Sequence, residues 1–200
     1  MSAATPGEYF DAIYAQDDPF GYRERWYEAR KRALLLACLP AQRFGRAWEI
    51  GCSNGELTAE LATRCDTLLA TDLSTRAVAL ATARTQAHRH VEVRQARHPE
   101  IWPDGLFDLI VFSEVGYYLD ADTLAQMVRQ MKSSLRGDGV VVACHWLAPF
   151  AQAPQSGRDV HRLLRRELGL QRVFGYGDAD VRIDGFALNA DSVAQRAGLR

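Results

Sequence analysis

The residues with the most evident chemistry lie in Trp48-Glu49-Ile50-Gly51-Cys52-Ser53-Asn54-Gly55, between an apolar run and a helical pattern. Small residues there let the backbone turn sharply and approach a ligand, and a helix N-terminus offers free N–H groups to an anion. A dinucleotide fingerprint, G-x-G-x-x-G, fails, because Gly51, Ser53 and Glu56 stand at its three glycine positions. A phosphate-binding loop fails as well, for want of Gly-Lys-Ser/Thr. A plain strand-to-helix turn without a ligand stays open. Asp72 follows Gly51 at about the twenty-residue interval at which an acidic side chain grips a ribose diol in such folds. Its plainer use is to cap the helix that begins near Thr75-Arg76.

A second set follows two further apolar runs: Glu114 with Tyr117-Tyr118, and His145 with Trp146. Ligands of open α/β sheets sit beyond the carboxyl ends of the strands, so both groups are expected at one site. Glu114 is a candidate to accept a proton or a hydrogen bond from an amine. His145 has the pKa range for proton transfer near neutrality. Each has a structural alternative: a cap or surface contact for Glu114, and a packed, hydrogen-bonded histidine for His145. Tyr117 and Tyr118 would line an acceptor groove or join the core. No Ser-His-Asp set or metal-ligand cluster is evident.

These residues need a scaffold, and the chain alternates strand-like and helical patterns as βαβ units do. Strands are expected at Arg46 to Ile50, Thr67 to Thr71, Val91 to Gln95, Phe107 to Phe112 and Val140 to Cys144. Helices are expected at Glu56 to Arg64, Arg76 to Ala87, Asp122 to Leu135 and Asp159 to Leu168. Arg136-Gly137-Asp138-Gly139 reads as a turn. Gln171 to Tyr176 and Val181 to Asn189 read as a closing hairpin, after a loop-rich stretch from Trp146 to Gly157. The N-terminal part is dense in aromatic residues, and Trp26, Arg30 and Ala33-Leu34 recur at helical spacing. That helix either packs on the core or forms part of a lid.

The 200 residues suffice for one domain with a full core. A formal charge of −1 is a poor match to nucleic acid, whose binders carry a basic excess. Met1 to Glu8 has no secretory pattern, and the longest apolar stretch, Ala33 to Leu39, falls far short of the roughly 20 residues of a membrane span. Cys38, Cys52, Cys65 and Cys144 are scattered, which favours free thiols and a cytoplasmic setting.

In combination the motifs resemble class I methyltransferases that use S-adenosylmethionine (SAM). Glu49-Ile50-Gly51-Cys52-Ser53-Asn54-Gly55 is similar to their first motif, E/D-x-G-x-G-x-G, with Ser53 replacing the middle glycine. Phe107-Asp108-Leu109-Ile110-Val111 resembles their F-D-L-I/V strand. Leu135 to Val140 resembles their L-x-P-G-G turn, with arginine and aspartate as departures. The resemblance implies a Rossmann-like α/β fold: a mainly parallel seven-stranded sheet with helices on both faces. It also implies a single domain over 1–200, with a lid at 1–40, a cofactor core at 45–145 and a substrate-side portion at 146–200.

A narrower resemblance runs through Asp18-Pro19-Phe20-Gly21-Tyr22, Trp26 to Lys31, Gly51-Cys52-Ser53 and Ser113 to Leu119. These segments look like the nodulation protein S family, which N-methylates a deacetylated chitooligosaccharide. That resemblance implies that Gly51, Cys52, Ser53 and Gly55 hold the methionine end of SAM, with Ser113 nearby and Glu49 orienting the ammonium. Asp72 and Leu73 would hold the ribose and one adenine face. Ala96-Arg97-His98 stands where many relatives carry an adenine-reading aspartate, so backbone groups at Ala96 are expected to take over. Trp26 and Arg30 would belong to the lid, with Arg30 near the SAM carboxylate. Glu114 and His145 would be catalytic. The expected reaction moves a methyl group to an amine of a small-molecule or oligosaccharide acceptor and leaves S-adenosylhomocysteine. An O-methyltransferase and a SAM-binding module without catalysis are the alternatives.

Overall fold

The computed structural model describes residues 7–189 and 191–200; residues 1–6, part of the expected lid and of the stretch read for a signal, lie outside it. Two helices, α1 (Gly7–Ile13) and α2 (Trp26–Cys38), precede the sheet. Then follow β1 (Phe44–Ile50), α3 (Glu56–Ala62), β2 (Cys65–Asp72), α4 (Thr75–Thr85) and β3 (Val91–Gln95). The second half holds β4 (Phe107–Ser113), α5 (Ala121–Ser133), β5 (Leu135–Trp146), α6 (Gly157–Leu168), β6 (Gln171–Gly177), β7 (Val181–Ala187) and α7 (Val193–Arg196).

The strands form one sheet in the order β3-β2-β1-β4-β5-β7-β6. All neighbours are parallel except β7, which runs antiparallel to both β5 and β6. This is the Rossmann-like architecture of class I methyltransferases. The central strands read as continuous apolar runs because both of their faces are covered. Ile110 and Phe112 enter the core on one face, with α5 and α6, while Leu109 and Val111 join Leu35 and Leu61 on the other. Each such side chain contributes roughly 1.5–3 kcal/mol relative to exposure.

One expected turn is a strand instead. Arg136 to Gly139 lie inside β5, but the pairing advances from 107 to 109 on β4 and from 135 to 140 on β5. The surplus residues arch out of the ladder and stay exposed at Arg136, Gly137 and Asp138. Turn-forming chemistry is thus spent on a bulge, which keeps the remainder of β5 in register.

Candidate active site

Strand order reverses between β1 and β4, and there the carboxyl ends of the strands open on a cavity of about 770 Å³. The chain leaves β1 at Gly51, whose φ is +80° and whose N–H donates to the Thr71 carbonyl at 2.8 Å. A Cβ there would stand 2.3 Å from Val115 Cγ2, so the glycine is needed for both space and conformation. Ser53 also takes a positive φ, +51°. Its N–H donates to Asp72 Oδ2 at 2.9 Å, and its hydroxyl accepts from Tyr14 at 2.7 Å.

The other Asp72 oxygen accepts from the Ser74 N–H at 3.0 Å. The cap of α4 is Ser74, which accepts from the Ala77 N–H, so the capping alternative for Asp72 falls away. A carboxylate has about four acceptor positions, and two backbone donors leave half of them for the cavity. Burial raises the Asp72 pKa, and the N–H groups of Ser74 and Ser53 oppose it. Leu73, Ala96 and Ser113 line the same cavity, as do Gly51 and Ser53.

Glu49 lies deeper, beside a small side chamber that it shares with Gly51, Cys52 and Ser53. Burial pushes its carboxyl up to about 8, and the charge of Asp72 adds to the rise. Its Oε2 has no partner. An unpaired buried carboxylate oxygen is costly, and an ammonium group beside it would relieve that cost. Cys52 faces the side chamber with a thiol pushed well up by burial. Gly55 does not line the cavity. Its φ is +82°, and a Cβ would meet Ala81 Cα at 2.8 Å, so it packs α3 on α4.

Glu114 faces the cavity from the end of β4, with φ at +59°. Its Oε1 accepts from the Trp146 N–H at 3.0 Å and lies 3.5 Å from Lys31 Nζ, while Oε2 accepts from the Tyr117 hydroxyl. Burial raises its pKa, and Lys31 and Tyr117 hold that rise back. With three donors in place, about one acceptor position remains for an incoming group.

Lys31 and Glu28 escaped the sequence reading. The Lys31 ammonium is 2.9 Å from Glu28 Oε2 and lies over the rings of Tyr27 and Tyr22, at 5.4 and 6.0 Å. A signal for them existed: Glu28, Lys31 and Leu35 are spaced i, i+3 and i+7 and form the buried side of α2. At about 100° per residue, Trp26 falls on the opposite side of that helix.

Three further expected site residues are placed elsewhere. Trp26 is 78% exposed and does not line the cavity, whereas Tyr9, Phe10, Tyr14, Phe20, Tyr22 and Tyr27 do. Arg30 turns toward the β6–β7 end, where it donates to Asp178 at 3.0 Å and to the Tyr176 hydroxyl at 2.5 Å. That carboxylate and phenol hold the guanidinium that was expected near SAM away from the cavity. His145 is fully buried beneath the cavity, and its Nε2 accepts the Gly116 N–H at 3.1 Å. Its side chain points inward because strand residues alternate, and Trp146 takes the outward position.

The family model of nodulation protein S (NodS) matches residues 8–145. Nodulation protein S of Sinorhizobium fredii is 31% identical over 130 residues, covering 64% of this chain and 60% of that protein. The Rhizobium tropici protein is 32% identical over 106 residues, covering 52% and 44%. The chain thus spans less than two thirds of the length of these curated relatives. Among solved structures, the N-methyltransferase NodS of Bradyrhizobium japonicum, in complex with S-adenosylhomocysteine, superposes with a TM-score of 0.81 at 25% identity. The match covers 90% of this chain and 96% of that one. A candidate methyltransferase from Pseudomonas syringae shares 46% identity, with a TM-score of 0.73 and coverage of 81% and 99%. The match to the family model over most of the sequence means that the chain belongs to the nodulation protein S family.

Proposed function

We propose that this protein is a SAM-dependent methyltransferase acting on an amine of a small-molecule or oligosaccharide acceptor. One observation carries the reading: a single cavity joins the Gly51–Ser53–Asp72 turn to the Glu114 carboxylate. The turn fits SAM through Asp72, which has free acceptor positions, and through Glu49, whose buried Oε2 lacks a partner. Asp72 would hold the ribose, Glu49 the methionine ammonium, and Leu73 and Ala96 the adenine end. When bound, SAM supplies an electrophilic methyl group on a sulfonium. The protein's own task is then alignment, with the acceptor's lone pair kept free.

An amine must be neutral to attack. Glu114 uses its remaining acceptor position to take an N–H of the acceptor, which orients the lone pair, and it receives the proton released after transfer or passes it to water. Lys31 and Tyr117 favour the ionised form of that carboxylate against the effect of burial. The aromatic residues of α1 and of the segment leading into α2 cover the cavity as a lid, which excludes water from the reaction. Residues 1–200 act as one functional unit. No described helix is long and apolar enough to cross a membrane. With its cysteines free, we place the protein in the cytoplasm.

The test is an incubation with SAM and a chitooligosaccharide bearing a free amine, read by mass spectrometry for S-adenosylhomocysteine and for the methylated atom. Glu114→Gln is expected to lower turnover by about a hundredfold, in the range for loss of a general base, with SAM affinity close to wild type. Methyl groups found only on oxygen would refute the amine reading. SAM binding without turnover on any amine or hydroxyl acceptor would make the protein a binding module.

A further inference from the structure

Behind the cavity wall lies a buried row of polar groups that the proposed reaction does not use. The Gly116 N–H donates to His145 Nε2 at 3.1 Å. His145 Nδ1 meets His161 Nε2 at 3.2 Å, and His161 Nδ1 meets Asp184 Oδ2 at 2.7 Å. Asp184 is in turn paired with Arg182 at 2.7 Å and Arg172 at 2.6 Å. Both histidines and Asp184 are essentially inaccessible.

The row has a direction. An amide N–H can only donate, so His145 Nε2 must be bare and the His145 proton must sit on Nδ1. His161 Nε2 must then accept, which leaves the His161 proton on Nδ1, aimed at Asp184. Every bond is satisfied by two neutral rings, each carrying its proton on Nδ1. Burial comes first among the causes that hold both rings neutral. The His161 ring and Lys31 add to it at His145, while Asp184 works against it at His161.

We infer that His145, His161 and Asp184 form a positioning relay that fixes Gly116–Tyr118, and through Tyr117 the Glu114 carboxylate. Gly116 opens the 3-10 turn Gly116–Tyr118, and the Tyr117 hydroxyl at its centre donates to Glu114. A Cβ at residue 116 would lie 2.5 Å from Val160 Cγ1 and 3.0 Å from His145 Nε2, so the turn is seated hard against the relay. The rings of Phe112 and Tyr117 pack edge-on to His145 at 5.4 Å. The family match ends at residue 145, and His161, Arg172, Arg182 and Asp184 all lie beyond it. The C-terminal part of this chain therefore reaches the acceptor corner through α6 and β7. None of these groups touches the cavity, so they are positioning residues and not catalytic ones.

The catalytic half of this inference rests on the proposed transferase activity; the structural half does not. The first measurement is therefore a nitrogen-15 correlation spectrum of the wild-type histidines at pH 7. Nδ1-protonated, neutral rings are expected for both His145 and His161. A proton on Nε2 of either ring, or a doubly protonated ring, would overturn the relay even if the enzyme is active. The second measurement is amide exchange at Gly116, expected to quicken at least tenfold in His145→Leu. It should return part of the way in His145→Gln, whose amide oxygen can again accept the N–H. In an active enzyme the acid limb of kcat should move to higher pH in His145→Leu, because a carboxylate that loses its Tyr117 donor becomes easier to protonate. SAM affinity should stay unchanged. Wild-type-like Gly116 exchange in His145→Leu, or an unmoved acid limb in an otherwise active enzyme, would reduce the relay to simple packing. Should His145→Leu fail to fold, the wild-type ring protons still decide. If the wild type transfers no methyl group at all, the function reading fails while the spectrum still tests the relay.

Discussion

The two halves of the cavity are built by different means. On the proposed SAM side, Gly51, Ser53 and Asp72 lie within a few residues of adjacent strand ends, and backbone N–H groups do most of the holding. On the proposed acceptor side, Glu114 is held by Lys31 from α2, Tyr117 from the 3-10 turn and the backbone of β5. The first half is local. The second is assembled from side chains that meet only once the fold is complete. A cofactor site of the first kind tolerates a varied surround, and an acceptor site of the second kind can be retuned by distant changes.

The comparison breaks most visibly at Asp72. Asp72→Ala removes a charged acceptor, and each hydrogen bond to such a group is worth roughly 1.5–3 kcal/mol. Loss of one such bond should lower SAM affinity by about ten- to 150-fold in calorimetric titration, with acceptor affinity little changed. Equal losses on both sides of the cavity would erase the distinction between its two halves.

Lys31→Met should do the converse. It leaves Glu114 and Glu28 without their shared cation, so the Glu114 carboxyl becomes easier to protonate. Turnover near pH 7 is expected to drop by roughly tenfold as Glu114 loses charge. The acid limb of the pH–rate profile should shift upward, and SAM affinity should hold. A rate equal to wild type across the profile would show that the ammonium has no part in tuning Glu114.

The smallest effect sharpens the SAM side alone. Glu49 is raised to about 8, so at pH 7 it is mostly protonated in the free protein. A ligand ammonium beside it favours the ionised form, and binding should release on the order of one proton. The sign follows: SAM affinity rises as pH approaches about 8 and falls above it, where the ligand's own α-amine, with an ordinary pKa of about 8, loses its charge. Titrations in buffers of different ionisation heat would measure the release, and proton uptake at pH 7 would contradict the pairing.

The same division explains what could be read in the sequence. The βαβ alternation and the interval from Gly51 to Asp72 are local patterns, and periodicity and turn chemistry expose them. Lys31 and Glu114 are 83 positions apart, and no local rule joins them. Trp26 and Arg30 share helical spacing with the true lining face but lie on the other side of α2. Their phase was settled only by the burial of Glu28, Lys31 and Leu35. His145 sits at a strand end as expected, yet strand alternation turned it away from solvent. The row it joins depends on partners 16 and 39 residues later, in an α-helix and an antiparallel strand.

The placement of β7 also governs how the molecule can be assembled during synthesis. β6 emerges first but touches the sheet only through β7, which slots between it and β5. Until residue 187 has left the ribosome, β5 is an open edge of Val, Ala and Cys residues, the kind of surface that templates aggregation. The five parallel strands can form earlier, so a nascent chain could hold a finished cofactor turn beside an unfinished acceptor corner. Asp184 arrives with the strand that closes this edge. Sealing the sheet and completing the buried hydrogen-bonded row are therefore one event, and a chain stalled before it would carry both defects together.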